Sequence, residues 1–171
     1  VRRQRQMCIR DSSITMDGNA RVTAKAGGDH NGSDGSGIGT GDEGRFTGTV
    51  TIGGNAVVVA AGSDEGCGIG SSDWKNMNGI IIIRDHAKVT AYAGDDGAAI
   101  GSQDEWDMTG KIIIVGNAIV NTGVVDDAGN VLSNRIGYIG GGENSNHDSS
   151  KGHYILGSDV TINSLNGSDT E

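Results

Sequence analysis

The 171-residue chain contains no proline, one phenylalanine, two tryptophans, three tyrosines and two cysteines. Without proline, no backbone N–H is missing from a hydrogen-bonded ladder and no rigid turn is imposed. Few aromatic residues rule out a core built on large rings, so any core must be built from small and branched side chains. No apolar run approaches the roughly 20 residues of a membrane-spanning helix. Basic residues are also scarce, 13 against 22 acidic ones for a net charge of -9. That balance argues against a nucleic-acid partner, which demands basic surface. What is abundant is glycine, 31 residues, alternating with valine and isoleucine runs.

The first twelve residues differ from the rest. VRRQRQMCIRDS carries four of the basic residues and one of the acidic ones, leaving 9 basic against 21 acidic beyond it. It reads as an in-frame translation of a sequencing adapter, so residues 1–12 are set aside and residues 13–171 are taken as the folding unit. That unit is expected to be a fragment cut at both ends. Cys8 falls in the first segment, which leaves Cys67 alone and excludes an internal disulfide or a cysteine metal cluster.

The glycines are periodic. Gly48, Gly79 and Gly110 open three copies at steps of 31 residues, and Gly152 follows 42 later. The isoleucine of a small-Ile-Gly element recurs at Ile38, Ile69, Ile100 and Ile139, at steps of 31, 31 and 39. Two independent anchors with one period indicate a solenoid, propeller or array. Each copy reads as a short strand, a tight turn, an alternating small-x-Val-x-small strand, a Gly/Asp loop and a third short strand on the repeated isoleucine. The first strands offer Ile14/Met16, Val50/Ile52, Ile81/Ile83, Ile112/Ile114 and Tyr154/Leu156 as inward pairs. Asn19, Asn55, His86, Asn117 and Asp159 form one turn column, residue types that tolerate left-handed backbone or bond their own backbone.

No copy can bury its own apolar face, so the copies must stack, each strand pairing in parallel with its counterpart about 4.8 Å away. Three strands in 31 residues are too few for a propeller blade. The expectation is an all-β chain, a single-stranded parallel β-helix of about five coils with three short strands each, right-handed because parallel crossovers almost always are. Cys67 shares its repeat position with Ser36, Ala98 and Gly137, so it is expected to fill a tight inward site as a small hydrophobe.

The pattern of strand, G-N-A turn, V-x-A strand and A-G-D-D-G-A-x-I-G resembles the Gly-rich repeats of right-handed parallel β-helix proteins in the broad pectate-lyase-like group. These occur in secreted and surface-anchored bacterial proteins. The resemblance runs from Ile14 to the end, with His86 and Asp159 departing from the asparagine column. It implies an extracellular or cell-wall location. It also implies a structural or binding segment, an adhesin or a polysaccharide-binding stalk. The alternative is a polysaccharide lyase or glycoside hydrolase whose catalytic coils lie partly outside this chain. Carbohydrate cleavage needs carboxylates facing across a groove, or a cation with a base. Arg84-Asp85-His86 and Lys88 read instead as turn variation, since the neighbouring copies have Gly53-Gly54-Asn55 and Val115-Gly116-Asn117.

Three surface features are candidates for binding. Two acidic columns recur, Asp29, Glu65, Asp96, Asp127 and Asp169, and Asp42, Asp73, Asp104 and Glu143. Stacked like charges repel, so solvated loops or a shared Ca²⁺ should offset them. No cofactor is otherwise required. Trp74 and Trp106 occupy equivalent loops, with Phe46 nearby, where exposed rings could stack on sugars of a polysaccharide or cell-surface glycan. Outward positions Thr15, Thr51, Ile82, Ile113 and Ile155 form a strip whose three isoleucines would serve self-association unless the insertion in copy four covers them.

Overall fold

In the computed structural model, the described residues are 12–27, 35–41, 44–72, 76–94, 97–103, 108–126, 129–132, 137–141 and 153–165. They contain fourteen short strands and no helix. The first strand of each coil is β1 (Ser13–Met16), β4 (Thr49–Ile52), β7 (Ile80–Ile83), β10 (Lys111–Ile114) or β13 (His153–Leu156). The second is β2 (Arg21–Lys25), β5 (Val57–Ala61), β8 (Lys88–Ala93), β11 (Ile119–Val124) or β14 (Thr161–Ser164). The third has only two residues, in β3 (Ile38–Gly39), β6 (Ile69–Gly70), β9 (Ile100–Gly101) and β12 (Ile139–Gly140).

Like pairs only with like. The first strands form one sheet in the order β1-β4-β7-β10-β13, the second strands another, the third strands a four-stranded one. Every one of these strand pairings is parallel. Register follows the repeat without slippage. Ile14, Val50, Ile81, Ile112 and Tyr154 succeed one another on five rungs, as do Val22, Val58, Val89, Val120 and Ile162. The chain is therefore a parallel β-solenoid of about five coils, as the period requires.

Alternation in the strands decides which side chains enter the core. In β4 and β7 the second and fourth residues are buried and the first and third are half-buried. Val58, Val89, Val120, Ile52, Ile83 and Ile114 are all fully buried. Each such valine or isoleucine contributes roughly 1.5–3 kcal/mol by leaving water. The same columns surface at the two ends, where Ile14 is 41% exposed and Tyr154 and Leu156 are 41% and 54%. Beside β1 to β3 they line a recess of about 590 Å³ whose apolar walls include Ile14, Met16, Val22 and Ile38.

A further column joins the core that the repeat alone did not reveal. Phe46, Met77 and Met108 are linked by parallel bridges and are buried to 5%, 0% and 0% exposure. Phe46 is therefore a core residue and not an exposed ring near the tryptophans. It enters the core because its backbone pairs with the next coil, which turns the ring under the following strand.

The third sheet owes its form to glycine. Gly39, Gly70, Gly101 and Gly140 have φ of 148°, 145°, 142° and 127°, a region that side chains rarely enter. They also stand so close that a Cβ on Gly70 would lie 1.9 Å from the carbonyl oxygen of Gly101. The positive φ recurs on all four rungs and the backbone overlap at Gly39, Gly70 and Gly101, so the strands of this sheet stay two residues long and the corner stays sharp.

Gly70→Ala is expected to cost roughly 3 kcal/mol or more, from left-handed strain and backbone overlap together. Gly18→Ala has open space around its Cβ and should lose only about 1 kcal/mol of conformational strain. Denaturant unfolding of the two variants checks the difference; equal losses would mean that close approach does not constrain the third sheet.

Candidate functional site

The corner between the first and second strands is the chemically richest part of the described surface. A turn hydrogen bond closes it in successive coils: Ala20 N–H to Asp17 O at 3.3 Å, Ala56 N–H to Gly53 O at 3.1 Å and Ala87 N–H to Arg84 O at 3.3 Å. The left-handed residue is the first central one, not the asparagine that follows. Gly18, Gly54, Asp85 and Gly116 have φ of 66°, 61°, 62° and 73°. A positive φ at that position, with glycine favoured there, is the signature of a type II′ turn. The asparagines instead occupy the second central position, where Asn55 Nδ2 donates to Asn19 Oδ1 at 3.4 Å.

Asp85 is a non-glycine residue in a conformation that costs about 1 kcal/mol or more. Its carboxylate offsets that cost. Oδ2 accepts the Gly54 N–H of the preceding coil at 2.9 Å and a hydrogen bond from Arg84 Nη1 at 2.8 Å. Arg84 Nη2 then donates to Asp17 Oδ2 at 3.0 Å, two coils away. To reach it, the guanidinium lies over Gly53, where a Cβ would meet its Cζ at 3.1 Å. Arg84 is thus a strap across three coils, and Gly53 is what lets it pass. Its side chain is 41% exposed, so the strap adds little stability by charge alone. Both carboxylates beside it are engaged by this one guanidinium.

Of the two acidic columns, Glu65 is the member that lies among the described residues; Asp29, Asp96, Asp127, Asp169, Asp42, Asp73, Asp104 and Glu143 lie outside them, as do Trp74 and Trp106. Glu65 Oε2 accepts a hydrogen bond from Gln103 Nε2 at 2.8 Å, and Gln103 is 5% exposed. Glu65 precedes the third strand of its coil and Gln103 follows that of the next, so the two meet across this sheet. Spacing counted along one strand could not reveal this, because the two-residue third strand brings together loops that the repeat separates. Among the described residues, no group of three or more His, Cys, Asp or Glu side chains converges to hold a metal ion.

The outer face of the first sheet carries the isoleucine strip. Ile82 and Ile113 are half-buried and Ile155 is 52% exposed. The described part of the copy-four insertion does not lie over it. Val125 bonds Ala93 O at the end of the second sheet and pairs antiparallel with Val131. The resulting hairpin reaches β2, with a Cβ position on Gly129 only 3.0 Å from Lys25 Nζ. Among the described residues, no helix is long and apolar enough to cross a membrane.

Cys67 is fully buried, and burial pushes its thiol up to about 12 despite a backbone hydrogen bond at Ala98 that lowers it. A thiol that stays neutral is a poor nucleophile, which fits a small core residue. Burial likewise raises the Tyr154 hydroxyl above its ordinary value, and that hydroxyl donates to Met108 Sδ at 3.5 Å.

Two predictions follow the corner and the thiol. Asp85→Gly should stay within about 1 kcal/mol of the parent, since relief of left-handed strain offsets the lost bonds, whereas Asp85→Ala should cost about 1–2 kcal/mol. Chemical denaturation of both variants decides it, and an alanine variant as stable as the parent would refute the compensation. For Cys67, the folded chain holds its proton longer than the unfolded chain does, with an ordinary value of 9.0. The stability this contributes is complete below pH 9 and declines as pH rises toward 12. In a Cys8→Ser background, Cys67 should resist a thiol reagent at pH 8 until the protein unfolds, and Cys67→Ala should flatten the alkaline decline.

Comparison with family models, with curated proteins and with solved structures finds no match.

Proposed function

We propose that this chain is a structural and binding segment of a secreted bacterial cell-surface protein, an adhesin or polysaccharide-binding stalk. The observation that carries the reading is unbroken register across five rungs of the first and second sheets. Such stacking makes a stiff rod that advances about 4.8 Å per coil, with flat repetitive faces suited to holding an extended polymer. The polymer is a polysaccharide or a cell-surface glycan, gripped near Trp74 and Trp106, with Ca²⁺ shared among the acidic loops. Association of copies through Ile82, Ile113 and Ile155 would suit the same stalk.

Carbohydrate cleavage is the rival, and Arg84 bears on it: this base-like group is committed to Asp17 and Asp85 at 3.0 and 2.8 Å.

A glycan array read with and without Ca²⁺, paired with an assay for new reducing or unsaturated chain ends, tests the proposal. Retention of a glycan without new ends is expected, and Trp74→Ala with Trp106→Ala should weaken that retention several-fold while leaving the melting temperature within a few degrees. New chain ends would replace the stalk by an enzyme, and a melting temperature unmoved by Ca²⁺ would remove the cation.

A further inference from the structure

Charge on this solenoid is unevenly distributed. The chain as a whole is acidic, at -9, yet the outward positions of β2, β5, β8, β11 and β14 include no acidic residue. Three of them are cations, Arg21, Lys25 and Lys88, all exposed. Arg21 and Lys88 belong to one column, on either side of Val57, so they stand two rungs, roughly 9.6 Å, apart. Lys25 shares its column with Tyr92, again two rungs away and half-buried.

Among the described acids, Asp159 stands at the corner before β14, two rungs beyond Lys88, and those nearer the cations are engaged. Asp17 and Asp85, at the corner before the strands, are tied to Arg84. Asp126, in the hairpin beside Lys25, spends both oxygens on Asn130, at 2.7 Å from its backbone N–H and 3.0 Å from its Nδ2. Gly129 of the same hairpin lies beside Lys25, a Cβ there standing 3.0 Å from Nζ.

From the Lys88 strand onward, away from Arg21 and Lys25, a polar ladder continues along the same face. Asn163 Nδ2 donates to Asn121 Oδ1 at 2.9 Å, and Asn121 Nδ2 donates to Thr90 Oγ1 at 3.3 Å. These bonds hold amides and a hydroxyl at fixed one-rung intervals along the rod. Fixed amide and hydroxyl groups exchange hydrogen bonds with sugar hydroxyls, and cations two rungs apart match acidic groups carried on alternate residues of an extended glycan.

We propose that the outer face of the second sheet is a binding surface for an acidic polysaccharide, one bearing carboxylate or sulfate groups. This rests on the reading of the chain as a glycan-binding stalk and adds a face and a ligand charge to it. A nucleic acid fits the same cations less well, because the amide ladder offers hydrogen bonds to sugar hydroxyls that a duplex backbone lacks.

The test measures binding of immobilised polygalacturonate and a sulfated glucan, with neutral dextran and duplex DNA alongside. The full chain should retain an acidic polymer, ignore dextran, and lose affinity as salt is added. The variant Arg21→Gln/Lys25→Gln/Lys88→Gln should bind at least about tenfold more weakly with an unchanged melting curve, whereas Lys88→Arg should keep the affinity. Lys111→Gln, an equal loss of charge on the outer face of the first sheet, should bind as the parent does. Acidic-polymer binding untouched by the triple substitution, or weakened as much by Lys111→Gln, would overturn the assignment of this face and leave the stalk reading standing. Retention of no polysaccharide at all would overturn both. Duplex DNA bound as tightly as the acidic glycans would overturn the choice of ligand.

Discussion

Parallel pairing of each strand with its own counterpart one coil on is the constraint from which the rest of this molecule follows. A residue's neighbours above and below are its repeat equivalents, so every position is judged against copies of itself. Valine on valine and isoleucine on isoleucine fill the interior without voids, and Val58, Val89 and Val120 are fully buried for that reason. The same rule is unforgiving where the backbone approaches closely. The glycines of the third sheet leave no room for a methyl group between rungs, and that corner could not be built from any other residue.

Much of this architecture was legible in the amino-acid order. The period of 31 residues, the inward valine and isoleucine columns and the pairing of like with like all follow from spacing plus the need to bury one face of each strand. Other features were not legible, for identifiable reasons. Asparagine and glycine both tolerate left-handed backbone, so the turn column alone did not say which one adopts it; the φ values assign it to Gly18, Gly54, Asp85 and Gly116. Phe46, Met77 and Met108 have no alternating neighbours, only isolated bridges from one to the next, so they gave no strand-like period. The meeting of Glu65 with Gln103 depends on how two loops fold around a two-residue strand, a distance that no count along the chain contains.

Function is less directly written than fold, because a repeated scaffold specifies its core on every rung and its surface on only some. The informative positions are those where a copy departs from its neighbours. Asp85 replaces a turn glycine and gains two bonds that its equivalents cannot make. Lys88 stands where the adjacent copies have Val57 and Ile119, and Asn121 and Asn163 extend the column from the Thr90 hydroxyl with amides. Departures that keep the interior column intact cost the fold little and change what the face can hold.

The span of Arg84 also bears on how the rod would come apart. Nearest-neighbour stacking lets a terminal rung fray without disturbing the second one inward. Here the guanidinium skips a rung, joining Asp17 in the first coil to Asp85 in the third. Peeling the first coil away therefore tugs on the third before the second has opened, and a pull along the axis would be shared among three turns instead of unzipping them singly.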